Sequence, residues 1–365
     1  MKSLIRLNVS ILFLFVLNLI NAQNRKSLIQ EKINIVSSLK KPVINPLSIE
    51  KSYSGYLLTY FKDETHSVYF AISKDGYSFT DLNDGEPILN GEMLAEQKGL
   101  RDPHITRGPD GAFYLVMTDL HIYGKQKGFR NTDWERPSEK YGWGNNRALV
   151  LMKSYDLINW THSNFRIDRY FPELGDIDCS WAPQTIYDPI LKKMMVYFTI
   201  RYDNKYANIY YSYANDQFTK LETLPTKIEG IGGIDADITK VNDKYHMYFV
   251  SDAKIYYAHS ESINKNFVVK GKRIDPNVVS TEAPNIFRRL GSDTFVLMYD
   301  IYGAKPNNMG FSETIDFINY KHLGKFNEGV MKTSNFDRPK HGAVTYLTDQ
   351  ELKTIASYWN VKFTN

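Results

Sequence analysis

Three acidic residues stand a few positions ahead of an isoleucine in otherwise apolar, strand-like stretches. Asp102 precedes Ile105 by three residues, Asp235 precedes Ile238 by three, and Glu282 precedes Ile286 by four. Carboxylates gathered from separate parts of a chain are what acid and base hydrolysis of a glycosidic bond requires. One activates water, a second protonates the departing oxygen, and an inverting pair stands about 6.5–9.5 Å apart to admit that water. A third raises the acid's pKa by like-charge repulsion. Each acid alone has a plainer reading. Asp-Pro is a common turn pair, as at Asp188-Pro189 and Asp275-Pro276, and a glutamate at a strand start is usually a solvated charge. The equivalence of the three places is what makes them a candidate set.

That equivalence comes from internal repeats. "VYFAISKDGYSF" (68–79) and "LVLMKSYDLINW" (149–160) share an apolar run, Ser, one residue, Asp and a later aromatic; 209–218, 255–267 and 309–320 are looser copies. Between them recur segments with a polar start, an Ile, a turn and an apolar strand: "RDPHITRGPDGAFYLVMTD", "WAPQTIYDPILKKMMVYFTI", "IDADITKVNDKYHMYFVSD" and "TEAPNIFRRLGSDTFVLMYD". Five copies of about four antiparallel strands predict an all-β, five-bladed β-propeller from about residue 45 onward. The fifth unit is split. "GYLLTYF" and the 68–79 strand come early and "HGAVTYLT" (341–348) comes late, so N- and C-terminal strands close the ring in one blade and remove a sheet edge. Residues at the start of each innermost strand then face a common axis.

The chain has 26 Tyr, 20 Phe and 5 Trp, which suit both strands and stacking against sugar rings. Helical periodicity is confined to residues 26–39. Residues 1–22, with Lys2, Arg6, the apolar run 11–20 and Ala22, read as a secretory signal peptide, and 23–44 as a lead-in segment. The expectation is an exported protein, periplasmic or secreted, with no membrane span after cleavage. The single cysteine, Cys179, is distant from the signal, which speaks against a lipoprotein, and reads as a buried thiol. A net charge of +4 is too small to argue for nucleic acid, although a mildly basic surface tolerates an acidic or sulfated polysaccharide. No sequence feature fixes an oligomeric state.

In this order and at these intervals, "RDPHI", "WAPQ", "IDADI", "TEAP" and "KHGAV" resemble glycoside hydrolase family 43, five-bladed propeller enzymes acting on arabinosides and xylosides. The resemblance spans essentially the whole mature chain. It implies an inverting mechanism with Asp102 as base, Asp235 as the acid that tunes pKa and orients substrate, and Glu282 as general acid. It also implies that His341 lies in the central channel. The chain departs from the family at Gln184, where Glu is common and charge is lost, and at Asp237, which competes with Asp235. Arg101 reads as a partner of Asp102 or of a substrate hydroxyl; His104 and Trp181 read as lining the sugar site, and Trp181 also suits blade packing. The segment 123–146, with Trp134 and Trp143, is long enough to wall the pocket.

The expected partner is an oligosaccharide or polysaccharide. No cofactor is required, and room is left for a structural calcium in the channel, for which no compact oxygen-ligand loop stands in the sequence. Sucrose and fructan hydrolases share "RDP" but need Asn-Asp-Pro-Asn and Glu-Cys motifs, which are missing, and no clear basic cluster marks a phosphorylase. The remaining alternatives are a propeller glycosidase acting on galactose or anhydrogalactose and a non-catalytic carbohydrate-binding propeller.

Overall fold

The computed structural model describes residues 33–42, 52–129, 136–271, 273–275, 280–303 and 305–362. The signal peptide read at 1–22 and Trp134 lie outside them. Strand β1 (Asn34–Ile35) is followed by β2 (Tyr53–Lys62), β3 (Ser67–Ser73) and β4 (Ser78–Asp81). Blade 1 comprises β5 (Leu100–Arg107), β6 (Phe113–Asp119), β7 (Ala148–Ser154) and β8 (Asn159–Arg166). Blade 2 comprises β9 (Cys179–Asp188), β10 (Lys193–Arg201), β11 (Asn208–Tyr213) and β12 (Thr226–Gly232). Blade 3 comprises β13 (Ile234–Val241), β14 (Lys244–Ser251), β15 (Lys254–Ser260) and β16 (Val268–Val269). Blade 4 comprises β17 (Thr281–Arg288), β18 (Phe295–Ile301), β19 (Met309–Thr314) and β20 (Lys321–Lys325), before β21 (Lys332–Thr333) and β22 (Lys340–Thr348).

The sheet orders define a five-bladed β-propeller. Late strand β22 is the innermost strand of blade 5 and pairs antiparallel with early β2, which continues to β3 and β4. The ring therefore closes as its split fifth unit predicted. Residues 26–39 are not helical where described: Asn34 and Ile35 pair in parallel with Asn159 and Trp160, covering the outer edge of blade 1. No helix among the described residues is long and apolar enough to cross a membrane.

The second strands are mainly apolar on both sides because each blade is covered on both faces. Along β10, Val196 and Phe198 pack toward blade 1 while Met195 and Tyr197 pack toward blade 3, and a distinct apolar cluster fills each of the five blade junctions. The repeated Ser-x-Asp is the turn between the third and fourth strands. The Asp75 carboxylate accepts from Ser73 Oγ and from the Tyr77 and Ser78 amides, and Asp156 makes the same bonds to Ser154, Ile158 and Asn159. After β22 a helix, Asp349–Tyr358, starts on a reciprocal capping box between Thr348 and Glu351 and packs its Leu352 and Ile355 into the junction of blades 5 and 1.

Candidate active site

Every innermost strand carries a β-bulge at the same place. Pairing with the second strand slips after Arg101, Trp181, Ile234, Glu282 and Lys340. The next residue is left-handed in all five: Asp102 (φ 51°), Ala182 (44°), Asp235 (53°), Ala283 (57°) and His341 (31°). Bulges re-aim side chains next to active sites. Here they set Asp102, Asp235 and His341 in one tier of the channel. The amide of each of four bulge residues is held by the preceding blade. Ala182 N–H donates to Thr118 Oγ1 (2.9 Å), Asp235 N–H to Thr199 Oγ1 (3.2 Å), Ala283 N–H to Asp235 Oδ2 (3.3 Å) and His341 N–H to Asp300 Oδ1 (2.9 Å).

His341 is the hub of this tier. Its Nδ1 is 3.4 Å from Asp102 Oδ1, and its buried Nε2 has no protein partner. Burial disfavours the charged ring, but the hydrogen bond and charge of Asp102, followed by Asp235 and Asp300, raise His341 to about 9. Burial opposes ionisation of Asp102 as well. His341, then Arg101 and the Thr118 hydroxyl at 2.8 Å, outweigh it and hold Asp102 well below the usual carboxylate range. Burial, helped by the charges of Glu282 and Asp102, moves Asp235 the other way, well above that range, against His341 and the Ala283 amide. Asp102 and Asp235, at one ring level, are thus shifted in opposite directions.

Glu282 comes from the position just before the bulge, where blades 1 and 5 carry Arg101 and Lys340. It is the more open carboxylate, with 27% of its side chain exposed against 14% for Asp102, and its Oε1 lies 3.8 Å from Lys340 Nζ. Lys340 also reaches Asp63 at 3.3 Å. Arg101 does not bridge to Asp102. Its guanidinium meets Asp63 at 2.9 Å and lies over the Phe61 ring, both on blade 5.

The other candidates fall into two places. His104, Gln184 and Asp237 form a deeper tier that joins blades. His104 Nδ1 accepts from Thr185 N–H (3.3 Å), Tyr197 OH accepts from Ile238 N–H while donating to Gln184 (3.1 Å), and Asp237 Oδ2 accepts from Ile286 N–H (2.7 Å). His104 and Asp237 line a cavity at the opposite mouth of the channel. Asp237 is therefore separated from the Asp102 tier, whereas Asp235 belongs to it. Trp181 stays at the upper rim, donating to Gly144 O (2.8 Å), edge-on to the exposed ring of Trp143 and covered by Arg201.

Sequence reasoning missed Asp300 and Asp63. Asp300 pairs across the sheet with Glu282, at the position that Thr118 and Thr199 occupy opposite Arg101 and Trp181. It is buried, its Oδ2 has no partner, and burial and the Glu282 charge raise it to about 7 despite Lys340. Its signal was available: an acid closes a run, "FVLMYD", whose counterparts in blades 1 and 2 carry Thr at that position. Among the described residues no group of three or more His, Cys, Asp or Glu is arranged to hold a metal ion. The calcium for which the sequence left room has no such cluster among the described residues.

The fold is thus a five-bladed β-propeller with carboxylates and His341 around one channel mouth. The chain matches the family model described as a probable glycosyl hydrolase domain, related to glycoside hydrolase family 43, over residues 51–353, and belongs to that family. Similar solved structures include a thermostable family-43 glycoside hydrolase, 16% identical, covering 61% of this chain and 72% of that one with a TM-score of 0.44. Another is a family-43 β-xylosidase/α-arabinofuranosidase from a compost microbial metagenome in complex with xylotriose, calcium-free form (16%, 62% and 77%, 0.45). A third is the catalytic domain of a family-62 α-L-arabinofuranosidase from Coprinopsis cinerea (16%, 66% and 74%, 0.44). No curated protein matched the sequence.

Proposed function

We propose that the chain is an exported, inverting glycoside hydrolase that removes terminal α-L-arabinofuranosyl or β-D-xylosyl residues from plant or algal polysaccharide. The observation that carries the reading is the shared tier of Asp102, Asp235 and His341 with Glu282 at its rim. Asp102, kept ionised by His341 and Thr118, accepts a proton from water as the water oxygen bonds to the anomeric carbon. Glu282 gives its proton to the departing glycosidic oxygen as that bond breaks. One water is consumed, the configuration inverts, and proton exchange with solvent restores both groups. Asp235, whose Oδ2 accepts from the Ala283 amide beside the acid, orients the substrate.

The test is release of monosaccharide from aryl glycosides and plant and algal oligosaccharides, beside Asp102→Asn and Glu282→Gln. Both substitutions keep shape and remove the transferable proton or its acceptor, so loss of at least about a hundredfold in kcat is expected with the fold intact. Undiminished activity in Glu282→Gln removes Glu282 as the acid. A folded wild-type protein that binds glycans without cleaving any of them favours a binding propeller.

A further inference from the structure

The turn between β2 and β3 sets Asp63 of blade 5 against two cations. Arg101 and Lys340 hold the same place on the innermost strands of blades 1 and 5, each directly before its bulge residue, Asp102 or His341. Asp63 Oδ1 lies 2.9 Å from Arg101 Nη1, and Asp63 Oδ2 lies 3.3 Å from Lys340 Nζ. Asn307 Nδ2 of blade 4 donates to that second oxygen at 3.4 Å. Arg101 has further holds, over the Phe61 ring and 3.3 Å from His66 Nε2. The Lys340 ammonium has a second carboxylate within reach, Glu282 Oε1 at 3.8 Å. Burial disfavours its charge, but Asp300, Glu282 and Asp63 together outweigh that burial and the opposing Arg101, so the ammonium is present to be shared.

A general acid has to carry its proton when substrate is bound, and an opposite charge within about 4–6 Å favours loss of that proton. Lys340 is such a charge for Glu282. Glu282 also faces Asp300 across the sheet, Asp235 from blade 3, and Asp252 in a cavity wall shared with Tyr206, Tyr256 and Tyr302. His341 in turn acts on Asp235 and Asp300. We infer that Asp63 is the positioning residue of the acid: it draws the Lys340 ammonium to itself and away from Glu282, whose carboxyl then holds its proton for the departing oxygen. The inference rests on the proposed role of Glu282 and deepens it. Asp63 touches neither Asp102 nor the reacting atoms and acts through Lys340 alone.

The experiment follows kcat against pH on xylotriose or an arabinosyl-substituted xylotriose, whichever the wild type cleaves. Asp63→Asn removes the shared charge while Phe61 and His66 still hold Arg101. Lys340 then turns to Glu282, and the alkaline limb of the profile is expected to move to lower pH by about one unit. Asp63→Asn combined with Lys340→Met is expected to bring the limb back to the wild-type position or above it, and Asp63→Glu to leave it in place. A merely structural Asp63 lowers kcat or stability without moving the limb, and that result overturns the inference, as does a limb that stays low in the double variant. Carbon-13 NMR titration of the Glu282 carboxyl, assigned by its loss in Glu282→Gln, reads the same coupling without turnover. A midpoint about one unit lower in Asp63→Asn, restored in the double variant, supports the inference. That shift in a protein that cleaves no glycoside upholds the role of Asp63 toward Glu282 and removes the catalytic reading. Hydrolysis with an unmoved midpoint overturns the inference and leaves the hydrolase reading standing.

Discussion

Replacing Asp300 by Asn is expected to make the protein more stable in neutral and alkaline solution. The Asp300 carboxyl sits at about 7 in the fold, against about 3.9 in an unfolded chain. Three units at about 1.36 kcal/mol each amount to about 4 kcal/mol spent in holding the ionised group in its buried site. Because the folded value is raised, the folded chain binds more protons than the unfolded chain between about pH 4 and about pH 7. Stability falls as pH rises through that window, and the cost is complete above it. Asn retains an oxygen for the His341 amide, so that bond at 2.9 Å survives. The attraction of Lys340 and His341 is already contained in the folded value, so a gain of at most about 4 kcal/mol is expected. Urea unfolding at about pH 4 and about pH 8 measures the effect: little difference at the lower value, higher midpoints for Asp300→Asn at the upper. Asp300→Thr, copying the residues at Thr118 and Thr199, is expected to follow it. A variant less stable than wild type at about pH 8, or an advantage independent of pH, refutes the reasoning.

Thr118→Val strips Asp102 of its hydroxyl donor and leaves the Ala182 amide unpaired, so a loss of about 1–3 kcal/mol in urea unfolding and a lower kcat/KM are expected, with Thr118→Ser restoring both. His341→Gln removes the cation that depresses Asp102, whose pKa then rises. The acid limb of the kcat/KM profile is expected to move to higher pH by at least about one unit, and an unmoved limb excludes Asp102 as the group that sets it. Asp235→Asn and Asp237→Asn separate the two tiers. The first is expected to cost activity on the order of a hundredfold or more, and the second chiefly thermal stability, through the Ile286 amide. Kinetics and melting curves of the pair read this directly.

The propeller was legible because its blades repeat: the spacing of three residues to Ile105 and Ile238 is the bulge geometry written in sequence. Glu282 was found by that pattern although it does not obey it, since Ala283 holds the equivalent bulge position and Glu282 sits one residue earlier. What stayed hidden depends on neighbours from other blades. Arg101 meets Asp63 rather than the adjacent Asp102, because the left-handed bulge turns Asp102 inward toward His341 while Arg101 faces blade 5. The separation of Asp237 from Asp235 was equally unreadable, since alternation in a regular strand puts residues two apart on one face and only the bulge breaks that rule. The helix Asp349–Tyr358 was overlooked although "TDQE" spells its capping box.

Closure of blade 5 by β22 also fixes the order in which the site is delivered during vectorial synthesis. The three acids of blades 1, 3 and 4 leave the ribosome before Lys340 and His341, and until β22 arrives β2 presents an open strand edge. A nascent chain can therefore carry Asp102, Asp235 and Glu282 while Asp102 still lacks the His341 charge that depresses its pKa. On the proposed function, competence coincides with ring closure, and a chain interrupted before β22 is expected to be inactive and to pair through the open edge of β2.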